Sequence, residues 1–80
     1  MLTRDQMRDG RALLHWTAQE LAEHSGIRRE TIYRLEAGKL DIEKSSMKTV
    51  KAIKEALEKG GIDFLADGSV AKRKGAADIS

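Results

Sequence analysis

The chain reads as all-α, with four short helices around one small core and a short strand or hairpin at the C-terminal end. Three observations predict this. Threonine and serine stand where helix N-caps belong, at Thr3, Thr17 and the pair Ser45-Ser46. Apolar residues recur at spacings of three and four rather than two. Glycine punctuates the ends of the periodic segments, at Gly26, Gly38 and Gly60-Gly61.

The first helix starts after Thr3, with Gln6 completing a capping box, and runs to about Leu14, turning Met7 and Leu14 inward. Thr17 opens the second: its hydroxyl accepts from an orphan amide while Glu20 reaches back to the amide of Thr17. Trp16 and Leu21 occupy the two positions of a hydrophobic staple. Gly26 follows Ser25 and supplies the left-handed conformation that stops this helix. In the third helix Ile32 and Leu35 share one face, and Ile27 joins them against Leu21 and Ala22. Gly38 ends that helix as a C′ residue, which makes the element about ten residues long.

Lys39 to Ser46 read as a polar loop, with Ser45 or Ser46 capping the next helix. Met47, Val50, Ile53 and Leu57 then define an inward face, while Lys48, Lys51, Lys54, Glu55 and Glu58 lie outside. The pairs Lys51 with Glu55 and Lys54 with Glu58 are worth at most a few tenths of a kcal/mol. After Gly60-Gly61 the pattern changes. Ile62 to Leu65 read as a strand, Ala66 to Ser69 as an Asp-Gly turn and Val70 as a weak second strand. The division expected is residues 1–61 as the helical domain and 62–80 as a strand or hairpin with a basic tail.

Eighty residues make one domain that buries only about 60 per cent of its unfolded surface, so pairing with a second copy would help it. Fifteen Lys and Arg are nearly balanced by 13 Asp and Glu, giving a net charge of +2, so any affinity for a polyanion has to come from placement. The absence of cysteine removes disulfides and thiolate metal sites and suits a reducing cytoplasm, the expected location. Charges at Arg4, Asp5, Arg8 and Asp9 break the N-terminus, and no apolar run reaches the length of a membrane span. There is no phosphate loop, HExxH or nucleophile elbow, and His15 and His24 lack ligand spacing, so no enzyme, cofactor, metal or small-molecule ligand is expected. Each histidine instead lies near a helix end, where an imidazolium can meet the last carbonyls.

Residues 17–38 therefore form two short helices joined at Ser25-Gly26, the second tipped by Arg28 and Arg29 and carrying Glu30, Tyr33 and Arg34 on its outer face. That is a helix-turn-helix, with an outer helix of a size to lie across one major groove. Arg11, Thr17 with Glu20-Leu21-Ala22, Gly26-Ile27, Thr31-Ile32, and Arg34-Leu35-Glu36 followed by Gly38 resemble the Cro/CI-like, or XRE-type, helix-turn-helix regulators over roughly residues 3–59. The resemblance implies a lambda-repressor-like bundle of four to five helices, with the third in the major groove and the second above the phosphate backbone. It also implies an ion pair between Arg11 and Glu36. The chain departs from the pattern at Arg28, where the family usually places a small polar cap, and at Ala18-Gln19, where a glutamine usually follows the cap directly.

Base readout is expected from Arg28, Arg29, Glu30 and Arg34. An arginine fork matches guanine O6 and N7, which makes Arg29 and Arg34 the leading readers. Arg28 precedes the first full turn and reaches a phosphate as readily as a base. Glu30 either accepts from cytosine N4 or, four residues before Arg34, holds that arginine in its working rotamer. Thr31 bonds a phosphate, offers its methyl group to thymine, or is neutral surface. Tyr33 stacks under Arg29, donates to phosphate, or does neither. Gln19, Lys39, Lys44, Ser45 and Ser46 lie in regions that contact phosphate in the family.

The partner expected is double-stranded DNA, bound by a homodimer acting as a repressor on a two-fold symmetric operator. Two readings stand for the C-terminal segment. Either Ile62, Phe64 and Leu65 form an edge that pairs with a second subunit, or Phe64 and Leu65 close over the bundle's own core while Lys72 to Ser80 trail as a disordered basic tail. The alternative to DNA binding is a protein-binding platform, such as an antitoxin whose C-terminal segment masks a toxin.

Overall fold

The computed structural model describes residues 2–73. Helices α1 (Arg4–Leu13), α2 (Ala18–Ser25), α3 (Arg29–Glu36) and α4 (Met47–Gly60) are followed by strands β1 (Ile62–Phe64) and β2 (Val70–Lys72). The strands pair antiparallel, Ile62 with Lys72, Asp63 with Ala71 and Phe64 with Val70. Met7, Leu21, Ile32, Leu35, Ile53, Leu57 and Ile62 are each 0 % exposed, so all four helices and the hairpin contribute to one core. The hairpin that follows Gly61 packs on the helices through Ile62.

Both threonine caps form complete boxes. Thr3 accepts from the amide of Gln6 at 3.1 Å while the Gln6 carboxamide accepts from the amide of Thr3 at 2.8 Å. The same exchange joins Thr17 and Glu20 at 3.1 and 2.9 Å. Gln6 has a second role, donating 3.0 Å to the Gly68 carbonyl and so tying α1 to the hairpin turn. Ser46, not Ser45, caps α4 by accepting from the amide of Thr49. Helix α3 is eight residues long, shorter than expected, because the Gly38 closure begins at Arg34: Lys39 N–H donates to the Arg34 carbonyl and Gly38 N–H to that of Leu35.

Helix α1 closes in the same way around His15. The amides of His15 and Trp16 donate to the carbonyls of Ala12 and Arg11, both at 3.0 Å, with His15 at φ 57°. This residue serves α1 through its backbone rather than through an imidazolium over the last carbonyls. A left-handed backbone costs an L-residue roughly 1–2 kcal/mol, of which glycine's larger unfolded entropy returns part. His15→Gly is accordingly expected to raise stability by about 0.5–1 kcal/mol in urea titrations, and a loss of stability would contradict this assignment.

Trp16 lies between two neighbours. The His24 ring stacks on it with centroids 4.1 Å apart and planes 5° from parallel. At the rim of the indole is Gly60, whose missing Cβ would come within 2.7 Å of both Trp16 and Leu14. Gly60 is therefore the last helical residue of α4, admitting the indole, and Gly61 alone turns left-handed, at φ 113°.

Two further expectations are corrected. The segment from Lys39 to Ser46 is not wholly a polar loop, since a 3-10 turn at Ile42–Lys44 buries Ile42. Met47 does not face the core but is 86 % exposed. On a 100° wheel the core arc of α4 ends at Val50, and Met47 stands about 60° beyond it. Ion pairs between Lys51 and Glu55 or Lys54 and Glu58 do not form; Lys54 instead holds its ammonium 5.3 Å from the Phe64 ring centroid.

The hairpin turn spans Leu65 to Ser69, with Gly68 at φ 90°. Asp67 accepts from the Ser69 hydroxyl and amide, which holds its carboxyl below the usual range. Lys72 belongs to β2, and Arg73 donates to Asp63 and to the Glu58 carbonyl. The chain past Arg73, where the basic tail is expected, lies outside the described residues.

Candidate nucleic-acid interface

The interface is built on α2 and α3. Leu21 and Ala22 of α2 are buried with Ile32 and Leu35 of α3, and half-buried Ile27 packs against them from the turn. Gly26, at φ 75°, makes the turn. Ser25 tightens it, donating to the Ala22 carbonyl and accepting from the Ile27 amide at 3.2 Å. With Ile32 and Leu35 locked inward, helical geometry directs Glu30, Tyr33 and Arg34 to the opposite side, and all three are exposed.

Helix α3 is also fixed at its far end. Arg11 donates Nε to Glu36 Oε2 at 2.8 Å and Nη2 to Glu36 Oε1 at 2.6 Å, and its Nη1 reaches the Trp16 carbonyl at 2.9 Å. The two side chains are 23 % and 12 % exposed. The hydrogen bond to Glu36 raises the Arg11 pKa above its ordinary value, against the opposing effect of burial. One guanidinium thereby joins α1, the turn before α2 and the end of α3, with its charge neutralised in the plane of a carboxylate.

The outer side is free of such partners. Among the described residues, the guanidinium groups of Arg28, Arg29 and Arg34 enter no side-chain hydrogen bond or ion pair. Arg28 is the N-cap of α3 and makes no side-chain cap, as its chemistry requires. Glu30 does not pair with Arg34. Both are exposed, and a solvated i,i+4 pair gains too little to hold two long side chains together. Tyr33 is 56 % exposed and does not stack on Arg29. Thr31 is half-buried at the edge of this face.

A groove of about 630 Å³ between α2 and the start of α3 brings Gln19 to the same side as Arg28, Arg29 and Glu30. Within it the Gln19 carboxamide donates to Glu23 at 3.1 Å. The i,i+4 spacing of these two residues was the sequence signal for Glu23, which the expected contacts leave out. Lys39 and Lys44 are exposed beyond α3. Ser45 donates to the Asp41 carbonyl, and Ser46 is committed to capping α4, so neither hydroxyl is idle. Ile62, Phe64 and Leu65 lie elsewhere: Ile62 is fully buried, Phe64 is half-buried under Lys54, and Leu65 is 46 % exposed.

The arrangement is a rigid two-helix unit that presents unpaired cations and one aromatic hydroxyl along a short exposed helix. Among the described residues no helix is long and apolar enough to cross a membrane. No curated protein matches the chain. A helix-turn-helix family model matches residues 7–64, from the middle of α1 through β1, covering both helices of the unit and the Arg11–Glu36 pair. The chain thus belongs to the XRE-type, Cro/CI-like helix-turn-helix family, and α2 and α3 are its DNA-binding helix-turn-helix.

Proposed function

We propose that the protein is a sequence-specific transcriptional regulator that represses from a two-fold symmetric operator, binding as a homodimer in the cytoplasm. The observation that carries this is the contrast across α3: its inner face and far end are locked, while Arg28, Arg29 and Arg34 are exposed and unpaired. Cations held ready on a fixed helix gain more from a polyanion than paired ones, because no internal contact has to be broken first.

In this reading Arg29 and Arg34 address guanines in the major groove, and Glu30 accepts from a cytosine between them. Arg28, Gln19, Thr31, Tyr33, Lys39 and Lys44 fix the register on phosphates, with Ser45 and Ser46 supporting the backbone beside them. One α3 covers few base pairs, and two about 34 Å apart read successive turns of the groove. The alternative is an antitoxin whose C-terminal segment masks a toxin; its main support, the tail, lies past Arg73 and outside the described residues.

The roles are separated by fluorescence anisotropy on a selected duplex across a salt series. Arg29→Ala and Arg34→Ala each cost about 1–3 kcal/mol on that duplex and much less on an unrelated one. Lys44→Ala weakens both duplexes alike and reduces the salt slope by about one. Equal losses on the two duplexes for the arginine variants would reduce α3 to an unspecific phosphate binder.

A further inference from the structure

Arg4 opens α1, yet its guanidinium lies at the far end of α3. A Cβ built on Gly38 would overlap Arg4 Nη1, so the glycine that closes α3 also makes room for this side chain. Arg4 lines a cleft of about 250 Å³ there, together with Leu35, Gly38, Leu40, Asp41 and Ile42. The residue is exposed and, among the described residues, its guanidinium enters no hydrogen bond or ion pair. The two nearby acids are both engaged. Asp41 accepts from the Glu43 amide at 2.9 Å and caps the 3-10 turn, while Asp5 meets Arg8 at 3.3 Å. A cation at the first position of a helix also opposes that helix's dipole, so the charge of Arg4 does not stabilise α1.

We propose that Arg4 is a phosphate contact of the DNA interface, forming with Lys39 a clamp at the end of α3. The inference rests on the DNA-binding reading above and adds to it a residue from outside the helix-turn-helix. At about 1.5 Å per residue the eight residues of α3 are about as long as a major groove is wide, roughly 12 Å. A cation held just past the last turn of such a helix meets a groove wall, which is phosphate, before it meets a base edge. Gly38 admits Arg4 to that place from α1 and carries Lys39 into it along the chain. Packing against Gly38 also restricts the long side chain before contact, which lowers the entropy lost on binding. Sequence spacing gives no sign of this role, because the start of α1 and the closure of α3 meet only in the fold.

Arg4→Met keeps an apolar stem in the cleft and removes the charge. It is compared with the intact chain by fluorescence anisotropy on the selected duplex and on an unrelated one. The variant is expected to keep its stability in urea and to bind both duplexes more weakly by the same factor. Its salt slope is lower by about one, so between roughly 50 and 200 mM salt it loses about three- to fourfold less affinity than the intact chain. Arg4→Lys restores the slope. Single phosphates of the selected duplex are then replaced by neutral methylphosphonates, and one position is expected to weaken the intact chain while leaving Arg4→Met unaffected. A fall in stability with an unchanged salt slope assigns Arg4 to the closing carbonyls of α3 and overturns the proposal. So does a set of methylphosphonate positions to which the intact chain and Arg4→Met respond alike. An intact chain that binds neither duplex defeats the DNA reading itself, and this inference with it.

Discussion

Ile62→Ala is expected to destabilise the chain by about 3–4 kcal/mol, even though the residue lies beyond the last helix. Ile62 is 0 % exposed, and its γ-methyl lies against Gly10 of α1, close enough that a Cβ built there would be 3.6 Å away. Leu57 lines the same spot from α4. Cutting the side chain back leaves a cavity that three elements border, and small domains have little stability to spare. Leu65→Ala, in the same hairpin but 46 % exposed, is expected to cost well under half as much. Urea titration followed by the fluorescence of Trp16 reads both. Equal effects at the two positions would mean that the hairpin is an appendage rather than part of the core.

Glu36→Ala is expected to cost about 2–3 kcal/mol and to weaken duplex binding more than the stability loss alone explains. The truncation leaves the Arg11 guanidinium, 23 % exposed, with only the Trp16 carbonyl as a protein acceptor. Removing one partner of such a pair costs more than the pair itself contributes, because the remaining charge is still partly desolvated. The double variant Arg11→Met with Glu36→Leu is therefore expected to recover much of the stability. It is not expected to recover binding in full, since α3 then lacks the directional link that fixes its end against α1. Recovery of both together would show that the pair serves stability only.

Much of this was legible in the sequence because it is local. A capping box is written in two residues three apart, and both boxes form as the spacing at Thr3-Gln6 and Thr17-Glu20 dictates. Gly26 and Gly38 mark turns that only a left-handed residue makes easily, and both adopt that conformation. His15 takes up the same conformation with no such mark, because any L-residue can be forced there when the flanking packing of Trp16 requires it. Met47 fits the apolar spacing of α4 and still misses the core, since periodicity gives a direction but not where the neighbouring elements end. Ile42 is the converse, a single apolar residue among polar ones that a 3-10 turn carries inward. For the site, the sequence placed Arg28 and Arg29 at the tip of the helix and Arg34 on its outer side, and all three are exposed. It could not tell that Glu30 and Arg34 stay apart, because the spacing permits a contact that solvation makes nearly worthless. Nor could it show that the Ile62 side chain points into the chain's own bundle, since a strand's inward face is set by what it packs against.

The central claim is that α3 reads bases, and the most direct measurement is selection from a randomised duplex pool at moderate salt by the intact chain, repeated with Arg29→Ala and Arg34→Ala. The account predicts enrichment of a two-fold symmetric motif that relaxes at a different base position in each variant, once in each half-site. Retention that depends on salt but enriches no sequence, or a motif unchanged by both substitutions, would contradict it.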